Sequence, residues 1–560
     1  MIPTPLHQTT TQSSLEPGTL SFSSKNETSN IENEDDFLKI LLRSQKIRLQ
    51  TKNQKIRIQE TEPFVPQFLF GLSKDLDLSS KKNQLRAYVE KHKISEKLED
   101  ALNSCLDKLP EEPFSFIAAK LLELAPPPVV DHLHGRQILD SRGNPTVEVD
   151  VYCKINGEVK LMARSSAPSG ASTGSSEALE LRDKDENTYL GKGVLKACKN
   201  VDEKISPVLE GKELKSLVLL DEIMCKTDGT ELKTKLGGNS ITACSFALAT
   251  AGAKLLNQPL FMYLAENFYG KENMPSKFTL PVPMVNILNG GKHAGGKLKI
   301  QEFMIVPSKD IPFSQRLKNV TTVYHHLGKL LVKRYGVSAK NLGDEGGFAP
   351  LLDTADEALE AIEEAIKSAG FTVGTDIRLA MDAAASEFYD EKTQKYEIVE
   401  GEWVTTEELV DWWVALVERH PAICSIEDGL HETDYKGWIS MQEKLGDKIM
   451  LVMDDVTTSN PRLIKQGIEE KWANSLLLKI NQIGTIMEGF EAVRLIHNEL
   501  QGNVIVSHRS GETTNSVIAD LAVGVGAGYI KTGATARGER TCKYNRLLQI
   551  EEYLQSKEML

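Results

Sequence analysis

Two spacings of apolar residues divide the chain into regions that predict different structures. From residue 280 onward, short apolar runs of strand length alternate with amphipathic segments of helical periodicity, such as ADEALEAIEEAIKSAG and NPRLIKQGIEEKWAN. Regular alternation of strands and helices indicates parallel strands joined by crossover helices, as in a β/α barrel. The sequence therefore predicts an α/β fold in which residues 276–560 form the barrel.

The region before the barrel has the pattern of an antiparallel sheet followed by helices. Val147, Val149 and Val151 alternate with acidic residues, and the turn-forming sequences GNP and NG flank this run. Such a pattern predicts a meander of short strands. Helical periodicity follows the strands, so residues 129–275 are expected to form a small α+β domain.

The first part of the chain contains few apolar groups. Residues 1–35 are rich in Ser, Thr, Asn, Gln and Pro. They cannot bury enough surface to offset chain entropy, so disorder is expected there. Residues 36–60 alternate apolar and basic groups, and Asp35 and Asp36 favour the start of a short, marginal helix. We therefore predict that residues 1–65 are mostly a disordered tail with one short helix.

Residues 66–128 predict a helical hairpin. Two amphipathic stretches are separated by the helix-breaking segment LPEEP, and three consecutive prolines form a stiff linker at the end. This pattern resembles the dimerisation-docking bundles of flagellar and kinase-anchoring proteins. An ordinary hairpin that packs on the main body is an alternative of nearly equal weight. Because so small a module has little core of its own, we favour slightly the docking interpretation, with a protein anchor as partner.

Length, charge and cysteine content exclude several classes of protein. The chain has 560 residues, more than one domain usually holds, and no apolar run approaches the ~18 residues of a membrane span. The net charge of −13 argues against a nucleic-acid partner and favours a protein that binds cations. The seven cysteines show no CxxC spacing, which fits neither a disulfide framework nor a zinc site. The N-terminal residues do not have the pattern of a secretory or transit peptide, so a cytoplasmic protein is expected.

Charged residues stand where the apolar strands of the predicted barrel end. Three carboxylates and two ammonium groups hold such positions: Asp382, Glu427, Asp454, Lys479 and Lys531. A further strand leads into the polar sequence SHRS at residues 507–510. The reactive groups of β/α barrels lie at the C-terminal ends of the strands. We therefore expect these side chains to share one mouth of the barrel, with the carboxylates on one side and the cations on the other.

The three carboxylates suggest a metal site. A single aspartate at a strand end is more often a cap or a turn former, but three carboxylates at successive strand ends favour a shared ligand. Oxygen donors without a nearby set of His or Cys residues make a hard site that suits Mg²⁺. The sequence therefore predicts that Mg²⁺ binds to Asp382, Glu427 and Asp454.

Lys479 lies at the end of an apolar strand, between Leu478 and Ile480. Burial of an ammonium group is costly and lowers its pKa, which suits a general base. The alternative is a lysine that pairs with the acidic cluster for structural reasons alone. We take Lys479 as the candidate base.

Three glycine-rich loops present further polar groups. The loop NGGKHAGG contains His293, and a strand that carries Glu302 follows it. The turn GDEGG carries Glu345, and the loop SGASTG contains Ser172. Glycine gives such loops the freedom to close over a ligand. Each of these loops taken alone is more often a simple turn.

Ten motifs in chain order, from about residue 130 to 555, resemble those of the enolases. They are LDSRGNPTVEVDV, PSGASTG, LNGGKHAGG, QEFMIVP, NLGDEGGFAP, SIEDG, DDVTTSNP, LLLKINQIGT, VSHRSGETT and IKTGATARGER. The resemblance implies a small α+β domain followed by a barrel of ββαα(βα)6 topology, and it implies a homodimer. It also implies two Mg²⁺ ions and the interconversion of 2-phospho-D-glycerate and phosphoenolpyruvate in glycolysis and gluconeogenesis.

Carried over to this sequence, the resemblance implies a role for each candidate residue in the metal sites and in proton removal. Asp382, Glu427 and Asp454 would bind the first Mg²⁺. Ser172, through its loop, would help to hold the second Mg²⁺. Lys479 would remove the proton from C2 of the substrate.

The same resemblance implies residues that act on the leaving group and bind the substrate. Glu345, helped by Glu302, would protonate the departing 3-hydroxide. Lys531 would stabilise the charge that develops on the substrate carboxylate. Arg509 and Ser510 would bind the phosphate, and two histidines would close over the ligand. The implied substrate-binding set is His293, Glu302, His508, Arg509, Ser510 and Lys531.

Four positions depart from the usual enolase pattern. The motif SIEDG has Gly429 where proline is common, and ATARGER has Thr535 and Gly538. Lys292 stands in the loop NGGKHAGG at a place where small polar residues are usual. None of these changes removes a proposed catalytic group, but Gly429 is expected to loosen the loop after Glu427.

The residues before 130 lie outside ordinary enolases and resemble the extension of long, enolase-4-like proteins of sperm and cilia. A flagellar or ciliary location, directed by residues 66–128, is therefore an expectation beside the cytoplasm. Two other functions stay open. One is an enolase-fold scaffold or tether with weak or no catalysis, and the other is a different lyase or racemase of the same superfamily. The intact set of acids, base and phosphate-binding residues favours catalysis.

Overall fold

The structure is a computed structural model that describes residues 47–52, 55–60, 78–170, 176–291, 294 and 297–560. The expectations for most of the N-terminal tail, and those for Ser172 and His293, fall outside the described residues. The chain divides into two units, Met1–Pro126 and Pro127–Leu560.

The described part of the first unit begins with two antiparallel strands, β1 (Ile47–Lys52) and β2 (Lys55–Glu60). The expectation of a helix over 36–60 is therefore wrong for these residues. Apolar residues alternate with polar ones in IRLQ and KIRIQ, and this period of two is the spacing of a strand rather than of a helix. The register sets Leu49 opposite Ile58.

In the described part of the first unit three helices follow: α1 (Leu78–Lys91), α2 (Ile94–Lys108) and α3 (Pro113–Leu122). The sequence predicts only two, because nothing in its apolar pattern separates α1 from α2. The chain turns there at Lys93, whose φ is 53°. The break after α2 lies where the LPEEP segment predicts it: Leu109 has a φ of 46°, and Pro113 begins α3. Within α2, Ala101 and Cys105 are buried.

The second unit begins with a three-stranded antiparallel meander of order β3-β4-β5: β3 (Val129–Leu139), β4 (Pro145–Ile155) and β5 (Glu158–Ser166). Val147, Val149 and Val151 of β4 are fully buried, as their alternation predicts. Helices follow the sheet: α4 (Leu195–Asn200), a π segment (Val201–Ile205), α5 (Ser206–Leu209), α6 (Leu217–Asp228), α7 (Gly238–Leu255) and α8 (Leu260–Tyr269). The small α+β domain is thereby confirmed, and α7 packs against β4 and β5.

Eleven strands lie in the rest of the second unit: β6 (Val282–Asn289), β7 (Glu302–Pro307), β8 (Ile377–Asp382), β9 (Tyr389–Asp390), β10 (Lys395–Val399), β11 (Glu402–Val404), β12 (Ile423–Glu427), β13 (Met450–Met453), β14 (Ser475–Leu478), β15 (Asn503–Ser507) and β16 (Tyr529–Lys531). Strands β9 to β11 form a small separate sheet. The other eight close into a barrel of order β6-β7-β8-β12-β13-β14-β15-β16. Only β7 runs antiparallel to its neighbours in this barrel.

The helices of the barrel are α9 (Phe313–Tyr335), α10 (Ala355–Ser368), α11 (Thr406–Arg419), α12 (Tyr435–Leu445), α13 (Pro461–Glu470), α14 (Ile480–Ile483), α15 (Ile486–Leu495), α16 (Val517–Gly524) and α17 (Gly538–Ser556). With β6, β7, α9 and α10 first and six strand–helix units after them, the ββαα(βα)6 topology is confirmed. Side-chain caps begin several of these helices: Thr354, Thr405 and Thr485 each accept a bond from a backbone N–H three residues ahead. Among the described helices, none has the length and apolarity that crossing a membrane requires.

Apolar side chains fill the inside of the barrel below its C-terminal mouth. They are Val282, Met284, Met304, Val306, Ala380, Cys424, Met450, Val452, Leu477 and Ile505. Layers of inward-facing side chains make such a barrel a packed core rather than a pore. Polar groups of the barrel interior are therefore collected at the mouth.

A buried carboxylate links the α+β domain to the barrel. Asp221 of α6 is fully buried, and its Oδ2 accepts bonds from the backbone N–H of Met487, in the first turn of α15, and from Oγ of Ser245, both at 3.0 Å. The same hydroxyl oxygen accepts the backbone N–H of Ile486 at 3.1 Å. These contacts satisfy donors that the start of a helix leaves unpaired. Burial, to which the charge of Glu488 adds, raises the pKa of Asp221 to about 7.

This raised pKa makes a prediction about stability. Between about pH 4 and 7 the folded chain holds a proton on Asp221 that the unfolded chain has lost, so this contribution to stability is full below about pH 4 and is lost as the pH rises through about 7. Asp221→Asn removes the titration and keeps an oxygen acceptor. We expect the melting temperature of the variant, relative to that of the wild type, to rise between about pH 4 and 7. Parallel pH profiles of the two proteins would contradict the assignment.

Candidate functional site

The charged side chains of the barrel mouth continue the inward-facing rows of the strands. Alternate residues of a strand point to the same face, so the residue two positions beyond an inward apolar side chain also points inward. Ala380 is followed in this way by Asp382, and Leu477 by Lys479. Because β7 runs in the opposite direction, its inward acid, Glu302, is its first residue rather than its last.

These rows end in a cavity of about 500 Å³. Its lining consists of Glu177, Gln301, Glu302, Asp344, Glu345, Asp382, Ala384, Glu387, Asp428, Asp454, Asp455, Lys479, Ser507, His508, Arg509, Ser510 and Lys531. Glu427 is fully buried beside it, in register with Asp382 on the neighbouring strand. The structure thus brings together every predicted site residue that it describes. Ser172 and His293 lie outside the described residues.

Lys531 holds three of the acids together. Its Nζ donates to Oδ2 of Asp382 at 2.8 Å and to both oxygens of Glu427 at 2.9 Å, and it lies 3.3 Å from Oε2 of Glu302. Burial alone would lower the pKa of Lys531, but Asp382, Glu302 and Glu427 together raise it well above its usual value. The ammonium group therefore stays charged in the barrel.

Lys479 is held by a single carboxylate. Its Nζ contacts Oδ2 of Asp454, whose other oxygen accepts a bond from Nε2 of Gln482 at 2.9 Å. The expectation that burial lowers the pKa of Lys479 is wrong for this geometry. Burial acts in that direction, but the charge of Asp454 outweighs it and the pKa is raised. The amine is therefore held as an ammonium group against Asp454 in this geometry.

Glu302 and Glu345 form an acid pair on the other side of the site. Burial and the neighbouring charge of Glu345 raise the pKa of Glu302 well above its usual value, and the two side chains are hydrogen-bonded to each other. Two carboxyl groups this close hold a proton between them, because both cannot ionise readily. Oε2 of Glu345 lies 3.1 Å from Nε2 of His508 and accepts a bond from Nδ2 of Asn286 at 3.3 Å.

Arg509 faces the cavity from the loop after β15. Its Nη1 and Nη2 donate to the two oxygens of Glu177 at 3.1 and 3.3 Å, and Nη1 also donates to Oδ1 of Asn481 at 3.3 Å. The neighbouring Ser510 is buried, and its Oγ accepts a bond from Arg142 at 3.5 Å. A planar guanidinium that already engages a carboxylate with two N–H groups has the geometry that binds oxyanions.

Five acids of the cavity escaped the sequence-based prediction: Glu177, Asp344, Glu387, Asp428 and Asp455. Asp428 and Asp455 each follow a residue at a strand end, so the doublets ED and DD were the only signal for them. Asp428 has a φ of 44°, and its oxygens accept the backbone N–H groups of Asp454 at 3.1 Å and Asp455 at 3.0 Å. Glu177 comes from the α+β domain, where no strand-end rule applies. Through its two hydrogen bonds, Asp428 fixes the backbone of Asp454, the predicted metal ligand.

The charges and donor atoms of the site fit a divalent cation. Among the described residues, the lining carries nine carboxylates, three cationic side chains (Lys479, Arg509 and Lys531) and His508. Burial and neighbouring acids raise the pKa of Asp455 to about 8, and they raise that of Glu427 well above its usual value. All of these donors are hard oxygen atoms, which suit Mg²⁺.

The acids of the described residues differ in how closely they approach one another. Carboxylate oxygens of Asp428, Asp454 and Asp455 lie within 4.8 Å of one another. In the predicted ligand set, Lys531 instead bridges Asp382 and Glu427. Asp454 belongs to both groups and is therefore the carboxylate that connects them.

Gly429 is packed rather than loose. A Cβ at this position would lie 2.9 Å from Cε of Met441 and 3.2 Å from a methyl group of Ile426. The carbonyl oxygen of Gly429 accepts a bond from Nε1 of the buried Trp413 at 2.9 Å. The Met441 side chain occupies the space next to the glycine, so the expected loosening after Glu427 is not seen. At Gly538 a Cβ would meet nothing within 4 Å.

Comparison with known proteins gives a consistent result over most of the chain. Residues 277–560 match the family model "Enolase, C-terminal TIM barrel domain", and residues 130–264 match "Enolase, N-terminal domain". A protein named enolase from Methanopyrus kandleri is 49% identical over 427 residues, which are 76% of this chain and 96% of that protein.

Proposed function

The chain belongs to the enolase family, and from this premise we propose that it catalyses the reversible dehydration of 2-phospho-D-glycerate to phosphoenolpyruvate and water. One observation carries the proposal. The half-buried amine of Lys479, the buried amine of Lys531 and one acid pair, Glu302 and Glu345, face the same cavity from separate segments of the barrel. A hydro-lyase of this kind needs one group that takes a proton from carbon and another that gives a proton to the leaving hydroxide.

The residues of the cavity can divide these tasks. In the dehydration direction a C2–H bond and a C3–O bond break, a double bond forms between C2 and C3, and water leaves. Lys479 would take the C2 proton. The electron pair left behind adds charge to the adjacent carboxylate, and Lys531 would stabilise it. Glu345, next to the proton-holding Glu302, would give a proton to the 3-hydroxide.

Substrate binding would use the loop after β15. Arg509 and Ser510 would bind the phosphate, and the fork of Arg509, which donates twice to Glu177, supports this role. His508 directly follows strand β15 at the start of this loop. It would close over the ligand together with His293 of the loop NGGKHAGG. A phosphorylated substrate distinguishes this reaction from those of other lyases or racemases with the same fold.

The metal would be Mg²⁺, and enolases are in general metal-dependent. Asp382, Glu427 and Asp454 would hold one ion, and Ser172 would help to hold a second. Bound Mg²⁺ supplies Lewis acidity that stabilises negative charge on the substrate carboxylate. Engagement of Asp454 would also leave Lys479 without the partner that raises its pKa.

A scaffold or tether with little catalysis is the alternative. Burial of Lys479 and Lys531 among carboxylates costs free energy that a pure scaffold would not need to spend. No observation on the described residues favours the scaffold over the enzyme. Catalysis therefore stays the proposal, with a role for the N-terminal unit beside it.

The N-terminal unit is proposed to serve location rather than chemistry. Every described residue of the cavity belongs to the second unit, Pro127–Leu560. Residues 66–128 would bind a protein anchor, at a flagellum or cilium or elsewhere in the cytoplasm. The second unit would form a homodimer, as the family resemblance implies.

The first prediction concerns the proton-accepting amine. Lys479→Met should lower kcat by about 10²- to 10⁴-fold, because a general base contributes about that much, while the melting temperature stays close to that of the wild type. The assay follows the ultraviolet absorbance of phosphoenolpyruvate as 2-phospho-D-glycerate is consumed. Lys465→Met, at an exposed lysine on α13, is the matched control and should be fully active. Retained turnover in Lys479→Met would remove this lysine from the mechanism.

The second prediction concerns the metal. Chelation should abolish turnover, and Mg²⁺ should restore it. Asp454→Asn should weaken Mg²⁺ binding in a direct titration that does not depend on activity, because it removes the charge shared by both acidic groups. Full activity of the chelated protein would contradict the metal assignment.

The third prediction concerns the N-terminal unit. A chain that begins at residue 129 should keep the wild-type kcat, because no described residue of the cavity is removed. In ciliated cells, the tagged shortened chain should have a different location from that of the tagged full-length chain. A large loss of kcat in the shortened chain would show that the first unit takes part in catalysis.

A further inference from the structure

Arg540 is a fully buried arginine that none of the proposed steps uses. It lies in the first turn of α17. Its Nη1 lies 2.6 Å from Nδ1 of His508 and donates to the carbonyl oxygen of Arg509 at 2.7 Å. Its Nη2 donates to the carbonyl oxygens of Ser510 at 2.6 Å and Asp344 at 3.1 Å. One guanidinium therefore joins the phosphate-binding loop to the acidic turn GDEGG.

The contact with Nδ1 decides where His508 carries its proton. A guanidinium has five N–H donors and no acceptor, and it stays charged in proteins. Nδ1 can therefore only accept a bond from Arg540. The proton of the neutral ring must then lie on Nε2, the atom that faces Glu345 at 3.1 Å. Burial lowers the pKa of His508 to about 4, so the ring is neutral near pH 7.

The ring N–H group that Arg540 selects lies beside the acid. Nε2 of His508 is 3.1 Å from Oε2 of Glu345, although the orientation of the ring does not make a hydrogen bond between them. The same oxygen accepts the N–H of Asn286 at 3.3 Å. The other tautomer would place a ring nitrogen without hydrogen, rather than an N–H group, against this carboxyl oxygen.

We propose that Arg540 is a positioning residue that selects the Nε2–H tautomer of His508 and thereby places an N–H group, rather than a lone pair, beside Oε2 of Glu345. The catalytic consequence rests on the proposed function, whereas the tautomer does not. Arg540 acts through the histidine, and its bonds to the carbonyl oxygens of Arg509 and Ser510 hold the backbone that follows the histidine. The ring orientation and the proton position are thus set by the same side chain.

The direct test is the tautomer in the wild-type protein. Full-length chain is prepared with ¹⁵N-labelled histidine, and His508 is assigned as the pair of nitrogen signals that His508→Gln removes. Near pH 7 we expect Nε2 to carry the hydrogen and Nδ1 to carry none. A proton on Nδ1, or a mixture of both forms, would overturn the proposal. This readout does not require turnover, so it separates failure of the proposal from failure of the proposed function.

Kinetics test whether the tautomer matters for the reaction. Arg540→Met should produce a mixture of tautomers and lower kcat by about 10²-fold, the lower range for proton transfer by a positioned group. Arg540→Lys keeps one charged donor and should recover part of the loss. The matched control is Arg316→Met, which removes another buried arginine that donates to backbone carbonyls, those of Ile311, Leu280 and Lys309. The control should leave kcat unchanged.

A double-mutant comparison isolates the path through the histidine. In the His508→Gln background, Arg540→Met should cost much less in kcat than it costs in the wild type. Equal losses in both backgrounds would overturn the proposal, because the arginine would then act only by clamping the loop carbonyls. If Arg540→Met does not fold, the tautomer of the wild-type protein still decides the question.

Discussion

Buried carboxylates at the barrel mouth must be neutralised by very few cations, and the rest of the site depends on this constraint. Closure of the barrel removes the acids from water, where a charge without a partner is costly. Lys531 touches Asp382, Glu427 and Glu302, and Lys479 touches Asp454. These pairings do not neutralise all of the acids, which is why several of them have raised pKa values. The arrangement is matched to a divalent cation and an anionic ligand together.

The barrel and most of the cavity could be predicted from the sequence for one physical reason. Strand spacing fixes which side chains point inward, and the C-terminal ends of parallel strands meet at one edge. Asp382, Asp454, Lys479 and Lys531 obey both rules, so their positions along the chain were sufficient. The alternation of strands and helices predicted the β/α barrel, whereas the confirmed ββαα(βα)6 order was implied by the resemblance to the enolases.

The parts that the sequence did not predict depend on distances between separate segments. Glu177 reaches Arg509 from another domain, and no periodicity reports such a contact. The pKa of Lys479 depends on how closely Asp454 approaches, which a rule based on burial alone omits. In the first unit, six-residue segments of period two pair as β1 and β2, although their alternating apolar and basic residues were interpreted as a marginal helix. The packing around Gly429 likewise depends on Met441, which lies in helix α12 and could not be identified as its neighbour from the sequence.

The alternation of inward-facing residues also constrains how this site can change. Below Asp382, Asp454 and Lys479 lie the apolar side chains of Ala380, Val452 and Leu477 on the same strands. A strand that gained or lost a single residue would turn its charged group toward the surrounding helices and a hydrophobic one toward the ligand. A rim loop that carries no site residue can therefore change in length without disturbing the site, whereas each strand can vary only by exchange of one side chain for another.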